Sequence, residues 1–185
     1  MPSQLMSVVI VPLVKCKNGD LSDVDNYRAI TLSNSVSKII ETLLFDIIET
    51  VDDIDDYQFG FQKGVSTAVC TDVFKSTVDY YRRNGSHLFC CFIDFKKASD
   101  RVDYWLLFCI LITSNNSKLC CTATRLLAFL YSHQQVFVRW QNTCSQCFNL
   151  ATGVRQGGIL PPYLFKLYVR DLLKVVVKSC IGCRA

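Results

Sequence analysis

The spacing of hydrophobic residues predicts that strands and helices are mixed along the chain. The run SVVIVPLV, residues 7–14, is typical of a short buried strand, and Pro12 would place that strand at a sheet edge because proline donates no hydrogen bond. Residues 35–51 carry apolar side chains at helical spacing, and Asn34 or Ser35 can cap this helix. The expected apolar stripe comprises Val36, Ile39, Ile40, Leu43, Leu44, Ile47, Ile48 and Val51.

The rest of the chain continues this mixture. A polar loop with a turn at Asn18-Gly19 follows the first strand. Residues 86–95 are predicted to form a strand buried on both faces, because HLFCCFI does not alternate with polar residues. QQVFVRW and CFNLAT are predicted to form a hairpin. Further helices are predicted at 67–83, 103–113, 120–132 and 163–178, the last with Pro161 and Pro162 in its first turn. We therefore expect an α+β fold.

Composition restricts the class of protein. The chain has 185 residues, half of them hydrophobic, which is enough for one domain with a core. Its longest apolar run has nine residues, far fewer than the roughly 20 needed to cross a bilayer. The N-terminus lacks the basic segment of a signal peptide. Eleven cysteines, an odd number, indicate reduced and buried thiols. We expect an intracellular protein, in the cytoplasm or nucleus, that is not secreted and binds no membrane.

Charge is distributed unevenly along the chain. Residues 1–60 carry four Lys/Arg and ten Asp/Glu, whereas residues 61–185 carry sixteen and six. The second part is therefore strongly basic, which suits a polyanion such as nucleic acid. An ordinary solvated surface would account for the same excess, so charge alone does not choose between the two.

The segment FIDFKKASDRVD, residues 92–103, places the carboxylate of Asp94 at the end of the predicted buried strand. A buried charge is costly unless it has a partner. Lys96 or Lys97 could pair with Asp94. A divalent cation such as Mg²⁺, which binds one or two carboxylates together with waters and phosphates, is the alternative. The segment by itself leaves both open.

Five segments, in order, resemble motifs of the reverse transcriptases encoded by non-LTR (LINE-type) retrotransposons. FIDFKKASDRVD resembles their F-x-D-F-x-K-A-F-D-x-V motif, and VVIVPLVKCKNGDLSDVDNYRAITL resembles their fingers segment. QFGFQKGVST, LLAFLYSHQQVFVRW and GVRQGGILPPYLFKLYVRDLL resemble three others, so the resemblance spans about residues 8–183. It implies the right-hand polymerase fold, with a fingers-like part at about 8–85 and a partial palm at about 86–185.

The resemblance implies nucleotidyl transfer to a primer on an RNA or DNA template, with deoxynucleoside triphosphates (dNTPs) as substrates. Two Mg²⁺ ions about 3.5–4 Å apart would activate the primer hydroxyl and stabilise the leaving pyrophosphate. Asp94 matches the family's catalytic metal ligand and would bridge both ions. The main-chain carbonyl of Ile93 or Phe95 can add a ligand, and the family favours Phe95.

The resemblance also assigns residues to the triphosphate. Arg28, in NYRAI, matches the family residue that binds it, and Lys15 or Lys17 is a weaker second choice. A salt bridge from Arg28 to Asp23 or Asp25 is the structural alternative.

Gln156 matches the family residue that packs beside the incoming nucleotide and the template base. Gly157 and Gly158 allow the backbone to approach a ligand closely, just before a helix N-terminus that favours anions. Without the resemblance, Gly-Gly before a helix is a turn and no more. Ser99 stands where the family has an aromatic residue against the ribose 2′-hydroxyl, and a serine there could admit ribonucleotides.

The sequence also departs from the family pattern. The Tyr-x-Asp-Asp motif that completes the family's metal site does not occur before SCIGCRA, so we expect a domain that is incomplete at its C-terminus and does not polymerise alone. Pro161 replaces a family serine, and Gln62 stands where arginine is frequent. With Ser99, these substitutions suggest a decayed or truncated copy. Asp100 and Asp103 are expected to have structural roles, with Asp100 capping a helix or pairing with Arg101.

Two non-enzymatic alternatives stay open. Cys144-x-x-Cys147 and Cys180-x-x-Cys183 have the ligand spacing of a Cys₄ zinc site, although thirty-two residues separate the pairs. A non-catalytic nucleic-acid-binding remnant would keep the basic surface without the chemistry.

Overall fold

The structure is a computed structural model, and it describes residues 3–49, 58–62, 64–114 and 118–179. Helices and strands are mixed, which confirms the predicted α+β fold. The helices are α1 (Ser3–Met6), α2 (Ser35–Glu49), α3 (Thr67–Arg83), α4 (Tyr104–Ser114), α5 (Lys118–Ser132) and α6 (Pro161–Lys178). The strands are β1 (Ser7–Val14), β2 (Tyr27–Ser33), β3 (Gln135–Trp140) and β4 (Thr143–Cys144), and two 3₁₀ turns lie at Val24–Asn26 and Ala98–Arg101.

The chain divides into two compact units. The first consists of residues 1–52 and 97–168, and the second of residues 53–96 and 169–185. The division into a fingers-like part and a partial palm near residue 85 is a functional assignment and stays a prediction.

The sheet of the first unit has the strand order β2-β1-β3-β4. β2 pairs antiparallel with residues 8–14 of β1, and β3 pairs parallel with residues 7–10. The prediction that β1 is an edge strand is therefore wrong, because β1 has a neighbour on each side. Pro12 is tolerated because it lies beyond the end of the β3 ladder, where its missing N–H removes no bond to that strand.

The predicted hairpin after β3 is confirmed only in part. β4 has two residues, and Arg139 lies opposite Cys144. CFNLAT contributes an isolated bridge between Val136 and Phe148 instead of a second strand. The hairpin closes early because Gln141 takes the left-handed conformation, with φ of 52°, directly after β3.

Helix α2 begins where the sequence predicted, and Asn34 is its cap, since Asn34 Oδ1 accepts the N–H of Val36 at 2.9 Å. The predicted apolar stripe is only partly right, because Val36, Ile39 and Leu43 are exposed. The buried side of α2 is narrower than the predicted stripe, and two of its residues are polar. The buried residues are Ser37, Glu41, Leu44 and Ile48.

The core of the first unit forms where α2 and α4 pack on α5 and where the first half of α6 joins them. The predicted bounds of α3 are confirmed, and those of α4, α5 and α6 are confirmed to within two residues. Among the described residues, no helix combines the length and the apolar character that a bilayer crossing requires. The most deeply buried core side chains are Ile48, Val102, Leu107, Leu111, Leu127, Leu160, Leu164 and Leu167.

The predicted buried strand at residues 86–95 does not form. This segment has no regular structure, and Phe89, Phe92 and Ile93 are largely exposed, Phe89 to 95%. A strand is stabilised by hydrogen bonds to a neighbouring strand, which an apolar sequence pattern cannot itself provide. In the part of the chain that the structure describes, no strand pairs with this segment. Phe92 instead contacts Phe74 of α3, with ring centroids 5.7 Å apart.

Candidate functional site

Two of the motifs identified in the sequence meet in the first unit, where the TGVRQGG loop lies against the second 3₁₀ turn. The N–H of Gly153 donates to the carbonyl of Val102 at 2.9 Å, and the N–H of Val154 donates to the carbonyl of Ser99 at 2.7 Å. Gly153 has a left-handed φ of 94°, and a Cβ there would lie 3.0 Å from the main chain of Asp100. Glycine is therefore required for this close approach. Ser99 holds the loop through its main chain, and its role beside a ribose stays a prediction.

Gln156 is hydrogen-bonded both to strand β2 and to the second 3₁₀ turn. Its carbonyl accepts the N–H of Thr31 at 2.6 Å, and its Nε2 donates to Asp100 Oδ1 at 3.2 Å. The loop thus covers part of the outer edge of β2, which lies at one end of the sheet. Gly157 is exposed, has φ of 107°, and would place a Cβ 3.0 Å from the carbonyl oxygen of Thr31. Gln156 is itself partly exposed, so a ligand can reach its oriented side chain.

The two acidic residues after Asp94 both make structural contacts, but Asp100 makes neither of the contacts predicted for it. The carboxylate of Asp100 orients Gln156 and makes no ion pair with Arg101 among the described residues. The helix cap is Asp103, whose Oδ1 accepts the N–H of Leu106 at 2.9 Å at the start of α4. Asp100 cannot serve as this cap because it lies four residues before α4 begins.

The guanidinium of Arg28 is exposed on β2, opposite Leu13. Within the described parts of the chain, this guanidinium has no hydrogen bond or ion pair. The alternative of a salt bridge to Asp23 or Asp25 is wrong, because both acids are engaged elsewhere. Asp25 binds Lys97 at 2.6 Å, and Asp23 Oδ1 accepts the N–H of Asp25 at 2.8 Å. Arg28 is therefore available to a phosphate group.

Lys15 is less available than Arg28. Its Nζ donates to the main-chain oxygen of Asp25 at 2.7 Å. Lys97, in the left-handed conformation with φ of 55° and ψ of 44°, reaches the side chain of the same residue. Its hydrogen bond to Asp25 raises the pKa of Lys97. These contacts fasten the polar loop before β2 to the second 3₁₀ turn.

Asp94 and Phe95 lie in the exposed, irregular segment of the second unit. Among the described residues the Asp94 carboxylate has no hydrogen bond or ion pair, so the alternative of a salt bridge to Lys96 or Lys97 is wrong. An exposed, unpaired carboxylate is compatible with a hard cation such as Mg²⁺. It is one ligand and not a complete site, since the described residues contain no group of three or more His, Cys, Asp or Glu side chains that could hold a metal ion.

The QFGFQKGVST segment forms a concave surface at the start of α3. The depression has a volume of about 420 Å³. Phe61 takes a left-handed φ of 57° there, which turns the chain toward the helix. The lining residues are Phe59, Gly60, Phe61, Val65, Ser66, Thr67 and Cys70.

None of the described cysteines lies in a disulfide bond, and the prediction that they are buried is wrong for most of them. Cys120 is buried, whereas Cys144 and Cys147 of the first predicted zinc pair are exposed. Cys180 and Cys183 lie outside the described residues. Of the predicted Cys₄ zinc site, the described residues therefore supply two exposed thiols, which are half of the four ligands.

A buried polar network behind the loop was missed by sequence reasoning. Arg155 Nη1 lies 3.5 Å from Glu41 Oε1, and Arg155 Nε donates to Gln134 Oε1 at 3.1 Å. Gln134 Nε2 donates to the hydroxyl of Tyr104 at 2.9 Å, and the guanidinium lies 5.5 Å from the ring centre of Tyr131. Burial raises the pKa of both tyrosines. The sequence feature that could have predicted this network is Glu41, an acidic residue between apolar positions of α2.

Comparison with known proteins agrees with the sequence motifs. Residues 16–184 match the reverse transcriptase (RNA-dependent DNA polymerase) family. Over 153 residues, 80% of the chain, the sequence is 29% identical to a probable RNA-directed DNA polymerase from transposon X-element of Drosophila melanogaster. Over 154 residues, again 80%, it is 30% identical to a probable RNA-directed DNA polymerase from transposon BS of the same species. The match spans 16% of the length of each relative. The chain therefore belongs to the reverse transcriptase (RNA-dependent DNA polymerase) family, and within it to the reverse transcriptases of non-LTR retrotransposons.

Proposed function

We propose that this chain is the nucleotide- and template-contacting part of an RNA-directed DNA polymerase, which extends a primer with dNTPs on an RNA or DNA template inside the cell. The placement of Gln156 carries the proposal. Its main chain is bonded to Thr31 of β2, three residues along the strand from Arg28, and its side chain is oriented by Asp100. Arg28 on β2 would thus contact the phosphates, and Gln156, in the loop hydrogen-bonded to β2, would contact the base pair.

The chemistry of each side chain suits its proposed role. The planar guanidinium of Arg28 can donate two parallel hydrogen bonds to a phosphate, and family analogy gives it the triphosphate of the dNTP. The amide of Gln156 would pack beside the incoming base, and Gly157 leaves its backbone accessible at that point. Ser99 would lie beside the sugar, and Lys15 would add positive charge from the neighbouring loop.

The Asp94 carboxylate and the main-chain carbonyl of Phe95 would be the ligands that this chain gives to Mg²⁺. When bound, Mg²⁺ neutralises charge on the phosphates and favours ionisation of the primer hydroxyl. Mg²⁺ keeps several waters and takes few protein ligands, so a single exposed carboxylate fits part of such a site. The two carboxylates of the family's Tyr-x-Asp-Asp motif have no counterpart in the sequence.

Replacing Arg28 with alanine should weaken dNTP binding about 10- to 100-fold, because a hydrogen bond to a charged group contributes roughly 1.5–3 kcal/mol. The measurement is the Kd of the complementary dNTP for the chain bound to an RNA template and a DNA primer with Mg²⁺. Arg125→Ala is the matched control, because Arg125 is also an exposed arginine, on α5. Equal Kd values for the two variants would contradict the role of Arg28.

A further inference from the structure

We propose that Glu41 is the positioning residue of the RQGG loop and acts on the nucleotide through Gln156. The inference rests on the proposed function of that loop. Glu41 lies on α2, and its side chain is among the most buried charged groups in the first unit. Sequence analysis predicted no role for it, and its polar contacts within the described residues are with Arg155 and Ile159, neither of which is assigned to the substrate.

One carboxylate binds the loop on both sides of the Gln-Gly-Gly tripeptide. Glu41 Oε1 pairs with Arg155 Nη1 before the tripeptide, at 3.5 Å. Glu41 Oε2 accepts the main-chain N–H of Ile159 after it, at 2.9 Å. The three intervening residues are therefore held as a closed arc whose two ends share one anchor. Fixing both ends of a short segment removes most of its conformational freedom before a ligand arrives.

The arc fits closely over its anchor. A Cβ at Gly158 would lie 2.8 Å from Glu41 Oε2, so a side chain cannot be accommodated there without movement of the carboxylate. On the other side of the arc, the carbonyl of Gln156 bonds Thr31. The Glu41 carboxylate therefore explains why position 158 is glycine, whether or not a ligand also approaches that position.

Stability alone is a poor explanation for this pair. Glu41 and Arg155 have only 6% and 4% of their side-chain surfaces exposed, and Arg155 Nη2 has no acceptor among the described residues. A buried ion pair of this kind is often no more stabilising than apolar side chains of similar volume. Its directional contacts do hold the loop in one geometry, which apolar side chains would not do.

The first test compares Glu41→Gln with Glu49→Gln, the same change at an exposed position of the same helix. In E41Q the amides of residues 157–159 should exchange with deuterium faster, and E49Q should match the parent. The Kd of the complementary dNTP, measured with an RNA template, a DNA primer and Mg²⁺, should rise about tenfold in E41Q, within the range found for residues of one network. Unchanged exchange and unchanged affinity in E41Q would overturn the proposal.

The second test separates positioning from folding. The paired variant E41M/R155M removes both charges, so it should melt above R155M, which leaves the Glu41 carboxylate buried without its partner, yet bind the dNTP about as weakly as E41Q. In a double-mutant cycle, E41Q should add little to the loss caused by Gln156→Ala, because both act through the same side chain. Additive losses, or a paired variant that binds like the parent, would refute a positioning role. If Q156A alone leaves the Kd of the dNTP unchanged, the proposed function of the loop is contradicted. The amide exchange of residues 157–159 in E41Q then decides whether Glu41 holds the loop in place.

Discussion

The 185-residue chain, given an RNA template, a DNA primer, dNTPs and Mg²⁺, should produce no template-directed DNA. Two-metal nucleotidyl transfer needs several carboxylates to hold both ions against their hydration. Asp94 is the carboxylate that the family motifs assign to the metals in this sequence, and no Tyr-x-Asp-Asp motif accompanies it. The same chain should still bind primer–template, with an affinity that falls as salt rises, because the segment after residue 60 is strongly basic.

The measurement is extension of a labelled primer resolved on a denaturing gel, with binding followed by fluorescence anisotropy. A positive control is a longer product, made by joining this chain to the Tyr-x-Asp-Asp segment of a related reverse transcriptase. In that product Asp94→Asn should lower the extension rate more than about 100-fold, since losing even an outer-shell partner of a metal ligand costs roughly 10–100-fold. Mg²⁺-dependent synthesis by the 185-residue chain itself would contradict the prediction.

Replacing Leu107 with alanine should lower the free energy of unfolding by about 2–5 kcal/mol. Leu107 lies on α4 with none of its surface exposed, in the cluster that joins α2, α4, α5 and α6. The substitution removes the transfer free energy of the missing carbons and leaves a cavity that the surrounding side chains fill only partly. Urea unfolding followed by circular dichroism measures the change in free energy.

The neighbouring residue provides a matched control. Leu106 lies on the same helix but is 52% exposed, so Leu106→Ala should change the free energy of unfolding by no more than about 0.5 kcal/mol. The two variants have the same composition and helix propensity, and they differ in burial. Similar losses in both would show that α4 does not pack as the structure has it.

Local signals in the sequence were sufficient for the helices and for the family. Helical spacing predicted α3 to the residue, and Asn34 was one of two predicted caps for α2. These features depend on neighbours within a few positions, where side-chain period and capping act. The motifs around Asp94, Arg28 and Gln156 likewise identified the family without any structure.

The errors share one cause, which is dependence on residues distant in the sequence. β1 is interior because β3, more than a hundred residues later, pairs with it. Residues 86–95 are exposed because an apolar pattern cannot supply a neighbouring strand. The buried side of α2 was misplaced for the same reason, since the carboxylate of Glu41 has its partners far along the chain.

The sequence by itself determined where the longer helices lie and which family the chain belongs to, and it predicted which residues carry that family's chemistry. Only the tertiary structure decided what those residues touch: that Asp100 orients Gln156, that Arg28 lacks an acidic partner among the described residues, and that Glu41 anchors the loop from below. The physical reason is that propensity and period are local properties, whereas burial and hydrogen-bond partners are set by segments brought together on folding.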